Sequence, residues 1–248
     1  MSYPGRNPRT LRRLAATRQV RDLLRSAIVS GEITDGVLPS ESELMMSFST
    51  SRQTIRDALA MLRDEGLIAR YQGAGTFVVA SKIRHAFTHL HGVDSAPTVN
   101  TLLDITYEPS VPRVAAKLNM RPGDSCAVVD YVTTIHGSPY YVATLYLPAS
   151  LGPVVERARG GVPDWYGLYE DAGIEIGITD FSVESTIVVD DHVAQQLAVP
   201  VGSPVMLFER RIRDTGGLVL EYGFARVRGD RIAIQTQLPR RGNRRSVH

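Results

Sequence analysis

Residues 38–79 place two helix starts, a helix end and a glycine-tipped hairpin in close succession, an order that few folds allow. Ser40 lies three residues before Glu43, the spacing of a capping box, and predicts a short helix from Glu41 to Phe48. Ser51 is the predicted N-cap of a second helix, because apolar side chains then recur at intervals of three and four. These side chains are Ile55, Ala58, Leu59 and Leu62.

A glycine-containing hairpin follows the second helix. Gly66 is predicted to end that helix, and residues 67–70 and 76–79 are predicted to form two short strands. A further helix over residues 11–30 comes first, so the order is three helices and a wing, as in a winged helix-turn-helix. We expect the tip of the hairpin to lie against DNA phosphate through Gln72, Gly73 and Gly75.

The polar side chains at the start of the second helix are the candidate base-reading groups. In a recognition helix the first-turn side chains meet base edges, where arginine pairs with guanine and glutamine with adenine. The opposite interpretation is that any small three-helix domain has caps and an apolar stripe. The candidate DNA contacts in these two helices are Ser40, Ser51, Arg52, Gln53, Thr54 and Arg56.

Five segments here form a recognisable pattern: PSE at 39–41, SRQTIRDAL at 51–59, L at 62, EGLI at 65–68 and GxGTFV at 73–78. Through them the chain resembles the GntR family of bacterial transcription regulators, over about residues 14–79. The resemblance implies that Arg52, Thr54, Arg56 and Gly73 contact DNA. The family usually has an arginine where this chain has Ser42, so one contact is expected to be missing or replaced.

Charge is distributed unevenly along the chain. Residues 1–80 hold eleven arginines against eight acidic residues, residues 81–239 hold thirteen basic against eighteen acidic residues, and the last nine residues hold four arginines. This asymmetry predicts that nucleic acid meets the N-terminal part, although a charged run is also typical of a solvated face. We expect residues 1–10 to be a flexible basic arm and residues 240–248 to be a disordered basic tail.

Composition disfavours several classes of site and protein. Cys126 is the only cysteine, so neither a disulfide framework nor a cysteine-based metal site is expected. His85, His89 and His91 are interpreted as polar linker residues and not as a metal site, since acidic residues nearby are sparse. No apolar run is long enough for a membrane span, so we predict a cytoplasmic protein with no membrane partner. No cofactor is predicted either.

Residues 81–97 lack a clean period and contain Pro97, which predicts a linker into a second domain over residues 98–239. Strand-like runs interrupted by single helices predict an α+β domain with an antiparallel sheet. A repeat supports this prediction, because the segment starting at Val114 matches the one starting at Val193, 79 residues later. Each copy shows a helix, a turn and a strand, so we expect two related halves with a cleft between them.

Three segments of the second domain also form a pattern: AxxLxVPxGSPV at 194–205, ERR at 209–211 and EYGFARVRGDR at 221–231. Through them residues 85–238 resemble the UTRA effector-binding domain of the HutC subfamily of GntR regulators. The resemblance implies a chorismate-lyase-like fold and a small-molecule effector. The subfamily with an all-helical, often metal-binding effector domain is disfavoured, because the helices it needs are absent from the pattern.

The resemblance also supplies candidate effector contacts. Sugar-phosphate sensors of this type carry two arginines where this chain has Tyr131 and Thr133, so a phosphosugar effector is not expected, and Tyr131 and Thr133 are themselves candidate effector contacts. Glu221 matches a family glutamate and is the main candidate, with a salt bridge to Arg226 or Arg228 as the alternative. The hypothesis is a weakly charged, partly apolar or aromatic effector. The further candidates, in a segment that lines the cleft of similar domains, are Asp164, Trp165 and Tyr166.

Together these features predict an effector-responsive transcription factor, a repressor that binds a near-palindromic operator in double-stranded DNA as a homodimer. One alternative is a DNA-binding protein whose second domain only dimerises. Another is a chorismate-lyase-like enzyme, which is disfavoured because fold alone does not imply chemistry. The sequence contains neither a G-x-S-x-G nucleophile elbow nor a glycine-rich phosphate loop followed by lysine, so no catalytic residue is predicted.

Overall fold

The computed structural model describes residues 8–79, 83–86 and 98–235. The chain divides into two compact units, Met1–Lys82 and Ile83–His248. Most of the predicted basic arm, the predicted basic tail, and His89 and His91 lie outside the described residues.

The first unit consists of three helices followed by a two-stranded antiparallel wing. The wing is joined to the helices because its second strand also forms main-chain hydrogen bonds with the segment before the second helix, where Leu38 N donates to Thr76 O over 2.8 Å. This is the predicted winged helix-turn-helix, with element boundaries within a few residues of those expected. Its elements are α1 (Pro8–Ser30), α2 (Glu41–Ser47), α3 (Arg52–Asp64), β1 (Ile68–Tyr71) and β2 (Gly75–Val78).

The core of the first unit forms around one face of α3. Ile55, Ala58 and Leu62 are fully buried there, whereas Leu59 of the predicted stripe is only half-buried. They pack against apolar side chains of α1 and α2, and each fully buried Leu or Ile contributes roughly 1.5–3 kcal/mol. The opposite face of α3 is therefore free to carry polar side chains.

The second unit is built on a six-stranded antiparallel sheet with the strand order β4-β5-β6-β9-β8-β7. Its strands are β4 (Thr98–Pro109), β5 (Ser125–Ile135), β6 (Ser138–Pro148), β7 (Ile176–Ile187), β8 (Pro204–Asp214) and β9 (Val219–Arg228). Its helices are α4 (Pro112–Leu118), α5 (Gly152–Val155), α6 (Gly167–Glu170) and α7 (Asp191–Leu197), with 3₁₀ turns at Ala149–Leu151 and Glu156–Gly160.

The predicted repeat is confirmed by the positions of these elements. Helices α4 and α7 begin at Pro112 and Asp191, and both end in a left-handed residue, Asn119 and Ala198. In each half the helix is followed by a hairpin, β5-β6 or β8-β9, and the two hairpins meet where β6 pairs with β9. The sheet is therefore made of two related halves side by side.

The two faces of the sheet are covered by different segments. Residues 149–170 pack on one face, over a core that includes Val129, Leu145 and Ile212. Helices α4 and α7 pack with smaller apolar clusters that contain Leu118 and Leu197. Side chains on alternate residues of each strand consequently point into different environments.

A short parallel ladder joins the two ends of the second unit. β3 (Ile83–Ala86) pairs with β10 (Ile232–Gln235), so part of the predicted linker belongs to the second unit. A four-residue strand held by main-chain hydrogen bonds leaves little trace in a side-chain pattern, which is why the sequence did not show it.

Candidate functional site

Two serine caps fix the start of α2 and of α3. Ser40 Oγ accepts from Glu43 N over 3.3 Å while Glu43 Oε2 accepts from Ser40 N over 2.7 Å, so the predicted capping box is confirmed. These hydrogen bonds hold the pKa of Glu43 below its usual value. Ser51 Oγ accepts from Thr54 N over 3.2 Å and lies 2.9 Å from Thr54 Oγ1. Both caps orient the helix ends that carry the candidate DNA contacts.

Three of the candidate base-reading side chains are exposed on α3: Arg52, Gln53 and Arg56. Gln53 Nε2 donates to Asp57 Oδ1 over 2.7 Å, and Arg13 donates to the other carboxylate oxygen of Asp57 over 2.6 Å. The hydrogen bonds from Arg13 and then Gln53 lower the pKa of Asp57. Thr54, in contrast, is buried against Ser51, so its side chain forms part of the cap instead of the exposed face.

The tip of the wing is exposed at Gln72, Gly73 and Gly75. Gly73 and Gly75 have φ values of +78° and +118°, a region that favours glycine. Beneath the tip, Tyr71 packs edge-on against Phe77 with ring centroids 5.5 Å apart. The wing therefore presents an open main chain on a tight turn.

In the second unit, four aromatic side chains surround one buried ion pair; we call this group the aromatic cluster. Trp165 stacks on Tyr131 with ring centroids 4.0 Å apart and an interplanar angle of 9°. The candidate effector contacts Tyr131, Trp165, Tyr166 and Glu221 are brought together here. The full cluster is Tyr131, Trp165, Tyr166, Tyr169, Arg210 and Glu221.

The carboxylate of Glu221 is the centre of the aromatic cluster and is completely buried. Its Oε2 accepts from Trp165 Nε1 over 3.0 Å and from Tyr169 Oη over 2.7 Å. Its Oε1 lies 2.7 Å from Arg210 Nε. This contact is an ion pair and not an aligned hydrogen bond, because neither Arg210 Nε nor Glu221 Oε1 has a hydrogen-bond partner among the described residues.

The predicted alternative, a salt bridge between Glu221 and either Arg226 or Arg228, is wrong. The two arginines are odd-numbered steps away along β9, so strand alternation places them on the other face of the sheet. Arg228 instead pairs with Asp230 over 2.7 Å. Glu221 does form a salt bridge, but with an arginine on the neighbouring strand β8.

The aromatic cluster holds its ionisable groups in defined states. Burial, the largest single effect, lowers the pKa of Arg210, but the Glu221 carboxylate together with the phenols of Tyr131, Tyr166 and Tyr141 outweighs it and raises this pKa well above the usual value. Burial also raises the pKa of Tyr131 and Tyr169, and it raises that of Tyr166 to about 12. At neutral pH the site therefore contains neutral phenols and one internally compensated cation.

A second polar group, centred on Asn100, anchors the segment that carries Trp165. Thr133 Oγ1 donates to Asn100 Oδ1 over 2.7 Å, so this candidate effector contact is a partner of Asn100. Asn100 also exchanges two main-chain hydrogen bonds with Val162, at 2.7 and 2.9 Å. Asp164, another candidate, accepts from Tyr166 N over 3.0 Å. These contacts fix the approach of Trp165 to Tyr131.

Sequence reasoning missed Arg210, Tyr169 and Asn100. Arg210 Nη2 donates to Tyr131 Oη over 3.0 Å, and the two residues are 79 apart, the interval of the repeat. The repeat alone could therefore have singled out Arg210 as the counterpart of Tyr131. For Asn100 and Tyr169 no comparable signal exists in the sequence.

Comparison with known proteins decides the family. The family described as bacterial regulatory proteins, gntR family, matches residues 16–78, and the UTRA domain family matches residues 97–233. The chain belongs to the GntR family and carries a UTRA domain. The HutC-type organisation predicted from the sequence is thereby confirmed.

Named relatives of this regulator are transcription regulators. It is 29% identical over 247 residues to the HTH-type transcriptional regulator Rv0792c of Mycobacterium tuberculosis, covering 91% of this chain and 86% of that protein. It is 28% identical over 222 residues to the HTH-type transcriptional repressor NagR of Bacillus subtilis, covering 86% and 90%. The regulator is thus a DNA-binding protein with an effector-binding domain, and its family is one of transcription regulators and not of enzymes.

Solved structures share the fold of the regulator. PhnF from Mycobacterium smegmatis superimposes with a TM-score of 0.61 at 22% identity, covering 90% of this chain and 100% of that one. At that identity the likeness concerns the fold alone. Among the described helices of the regulator, none is both long and apolar enough to cross a bilayer.

Proposed function

We propose that this regulator is a repressor that binds a near-palindromic DNA operator as a homodimer and releases it when an effector binds the second unit. NagR, which it resembles over most of its length, is named a repressor. A two-fold dimer presents two recognition helices to successive major-groove faces, which accounts for a near-palindromic site.

The proposed operator contacts are Arg52, Gln53 and Arg56 on α3 and the wing tip at Gln72, Gly73 and Gly75. All six are exposed, and the Ser51 cap orients the first turn of α3. The capping serines Ser40 and Ser51 contribute through helix geometry, and Thr54 contributes through the cap because its side chain is buried. Arginine and glutamine at these positions suit guanine and adenine edges.

The effector proposal rests on one observation: the only guanidinium of the aromatic cluster is already neutralised by Glu221 at 2.7 Å. A phosphosugar would have to separate this pair and leave a carboxylate buried and unpaired, which is strongly unfavourable. Positions 131 and 133 carry a phenol and a hydroxyl, so they add no positive charge that could bind an anion. These features support a weakly charged effector.

Trp165 suggests what shape that effector has. Its indole stacks on Tyr131 and donates its N–H to Glu221. A planar ring with an N–H donor makes the same two interactions when it replaces the indole, without adding charge to a buried site. We therefore propose a neutral or weakly charged planar effector that exchanges with Trp165, with Tyr131, Tyr166 and Glu221 as its contacts.

Tryptophan fluorescence tests this proposal, because Trp165 is the only tryptophan of the chain. The regulator is titrated with a panel of neutral N–H heterocycles and a panel of phosphosugars, and melting temperature and operator affinity are followed in parallel. We expect a heterocycle to shift the emission to longer wavelength, raise the melting temperature and weaken operator binding. Stabilisation by phosphosugars alone would show that the effector proposal is wrong.

A second candidate function is a regulator whose second unit only dimerises. It is favoured by the filling of the site by its own side chains, since Tyr131 and Glu221 are completely buried. In that case no compound of either panel changes operator affinity, while sedimentation of the full chain still gives a dimer. A ligand-dependent change in operator affinity rejects this candidate.

A further inference from the structure

A polar groove lies between α3 and the wing; we call it the wing groove. It encloses about 380 Å³, and its apolar floor is formed by Leu59, Ala60 and Ile68. Charged side chains form its rim: Glu41 from α2, Arg56 and Arg63 from α3, and Arg70 from β1. Three guanidinium groups face a single carboxylate, so the groove keeps a net positive charge that suits an anion.

Glu41 connects two of these arginines. Its Oε2 accepts from Arg56 Nε over 2.9 Å, and its Oε1 lies 3.5 Å from Arg70 Nη1. Glu41 is mostly shielded from solvent, whereas the side chains of Arg56 and Arg70 are 53% and 64% exposed. Arg56 contacts Glu41 through Nε, so the end-on pair of terminal nitrogens, Nη1 and Nη2, is not used in this hydrogen bond and can form a bidentate contact with guanine.

Arg63 completes the rim without a carboxylate partner among the described residues. At about 100° per residue, Arg52, Arg56 and Arg63 fall within about 40° of one another around the axis of α3. They form one stripe that runs from the base-reading first turn to the last turn, where Arg63 faces Arg70 across the groove. A helix placed in the major groove would carry this last turn toward the DNA backbone.

We infer that the wing groove binds one phosphodiester group of the DNA backbone through Arg63 and Arg70, and that Glu41 is a positioning residue for Arg56. The phosphate lies between the recognition helix and the wing, bound by two exposed guanidinium groups, while Glu41 keeps Arg56 extended toward the bases. The role of Glu41 rests on the proposed base reading by Arg56; the phosphate site does not.

The phosphate site is tested by the salt dependence of binding to a duplex without an operator. Each phosphate contact contributes about 0.9 to the slope of log affinity against log salt concentration. We expect Arg63→Gln and Arg70→Gln each to reduce the slope by up to about 0.9, and the double variant to lose less than the sum. Arg113→Gln, an exposed arginine of the second unit, is the charge-matched control and is expected to leave the slope unchanged.

Two results would overturn the phosphate site. One is an unchanged slope in both groove variants; the other is a fully additive loss, which would indicate two separate phosphates. If the wild type bound no DNA at all, the proposed function would fail instead, so the two failures are distinguishable.

Glu41 is tested with Glu41→Gln on an operator obtained by selection from randomised duplex DNA. We expect the ratio of operator to non-operator affinity to fall about tenfold, with an unchanged salt slope, because Arg56 is no longer oriented. Glu41→Asp, which keeps the carboxylate, should recover part of this ratio, and circular dichroism checks the fold of both variants. The inference would be overturned if Glu41→Gln bound operator and non-operator DNA more tightly by the same factor, with a steeper salt slope. That result would show that Glu41 acts only through its charge.

Discussion

Arg210 donates a hydrogen bond to Tyr131 over 3.0 Å, and these two residues occupy equivalent positions in the two halves of the repeat. In the sheet, Tyr131 pairs with Ala143, Ala143 with Ala225, and Arg210 with Gly223. Small residues on the two central strands, β6 and β9, therefore lie between β5, which carries Tyr131, and β8, which carries Arg210, and this leaves room for the two long side chains to meet. The polar site is placed at the junction of the halves by the symmetry of the repeat.

Removing the cation of the buried ion pair should be costly. We expect Arg210→Met to lower the free energy of unfolding by about 3–5 kcal/mol, since it leaves the buried carboxylate of Glu221 without its partner. The double variant Arg210→Met, Glu221→Met should be less destabilised than the single variant. Urea unfolding of the three proteins measures this, and a loss below about 1 kcal/mol in Arg210→Met would contradict the argument.

Stability should fall in the alkaline range. The pKa of Tyr166 is raised from 10.0 to about 12. Its contribution to the free energy of unfolding is therefore fully present below pH 10 and is lost as pH rises toward 12. Tyr131 and Tyr169 act in the same direction. A shift of this size corresponds to about 3 kcal/mol for Tyr166 alone. Urea unfolding measures the free energy of unfolding at one pH below 10 and at one above it. The loss between the two pH values should be smaller for Tyr166→Phe than for the wild type, and equal losses would contradict the role given to Tyr166.

Gly223 is expected to tolerate no side chain. A Cβ there would lie 2.4 Å from Thr144 O and 2.6 Å from Leu145 Cδ2, so the central β6–β9 pairing would have to move. We expect Gly223→Ala to cost about 3 kcal/mol. Gly160→Ala is the matched control, because nothing lies within 4 Å of its Cβ position and its φ is not positive. Thermal unfolding compares the two, and similar melting temperatures would refute the packing argument.

Operator affinity should depend on the first turn of α3. If Arg52 and Arg56 read bases, Arg52→Ala and Arg56→Ala should each cost about 1–3 kcal/mol of operator binding and relax specificity at one base pair. Gel shifts on the selected operator measure the loss, with Arg113→Ala as a control outside the DNA-binding unit. Unaltered affinity in both variants would remove these residues from the proposed interface.

The first unit could be predicted closely because its signals are local. Ser40 caps α2 by accepting from Glu43 N, three residues later, and Ser51 caps α3 by accepting from Thr54 N, also three residues later. Such hydrogen bonds depend only on neighbours in the chain, so the residue types and their spacing are sufficient to place the helix starts. What the sequence did not show is that Glu41 reaches both Arg56 and Arg70, because these contacts span 15 and 29 residues.

In the second unit the elements could be predicted from the sequence, but the partners of the site residues could not. The sequence by itself determined the repeat, the antiparallel strands, the family, and Tyr131, Trp165, Tyr166 and Glu221 as a candidate set. Only the tertiary structure decided that Glu221 pairs with Arg210, that Thr133 is bound by Asn100, and that Trp165 fills the space against Tyr131. The reason is physical: strand alternation is set along the chain, whereas partners across a sheet depend on strand order and register, which residues far apart in sequence fix together.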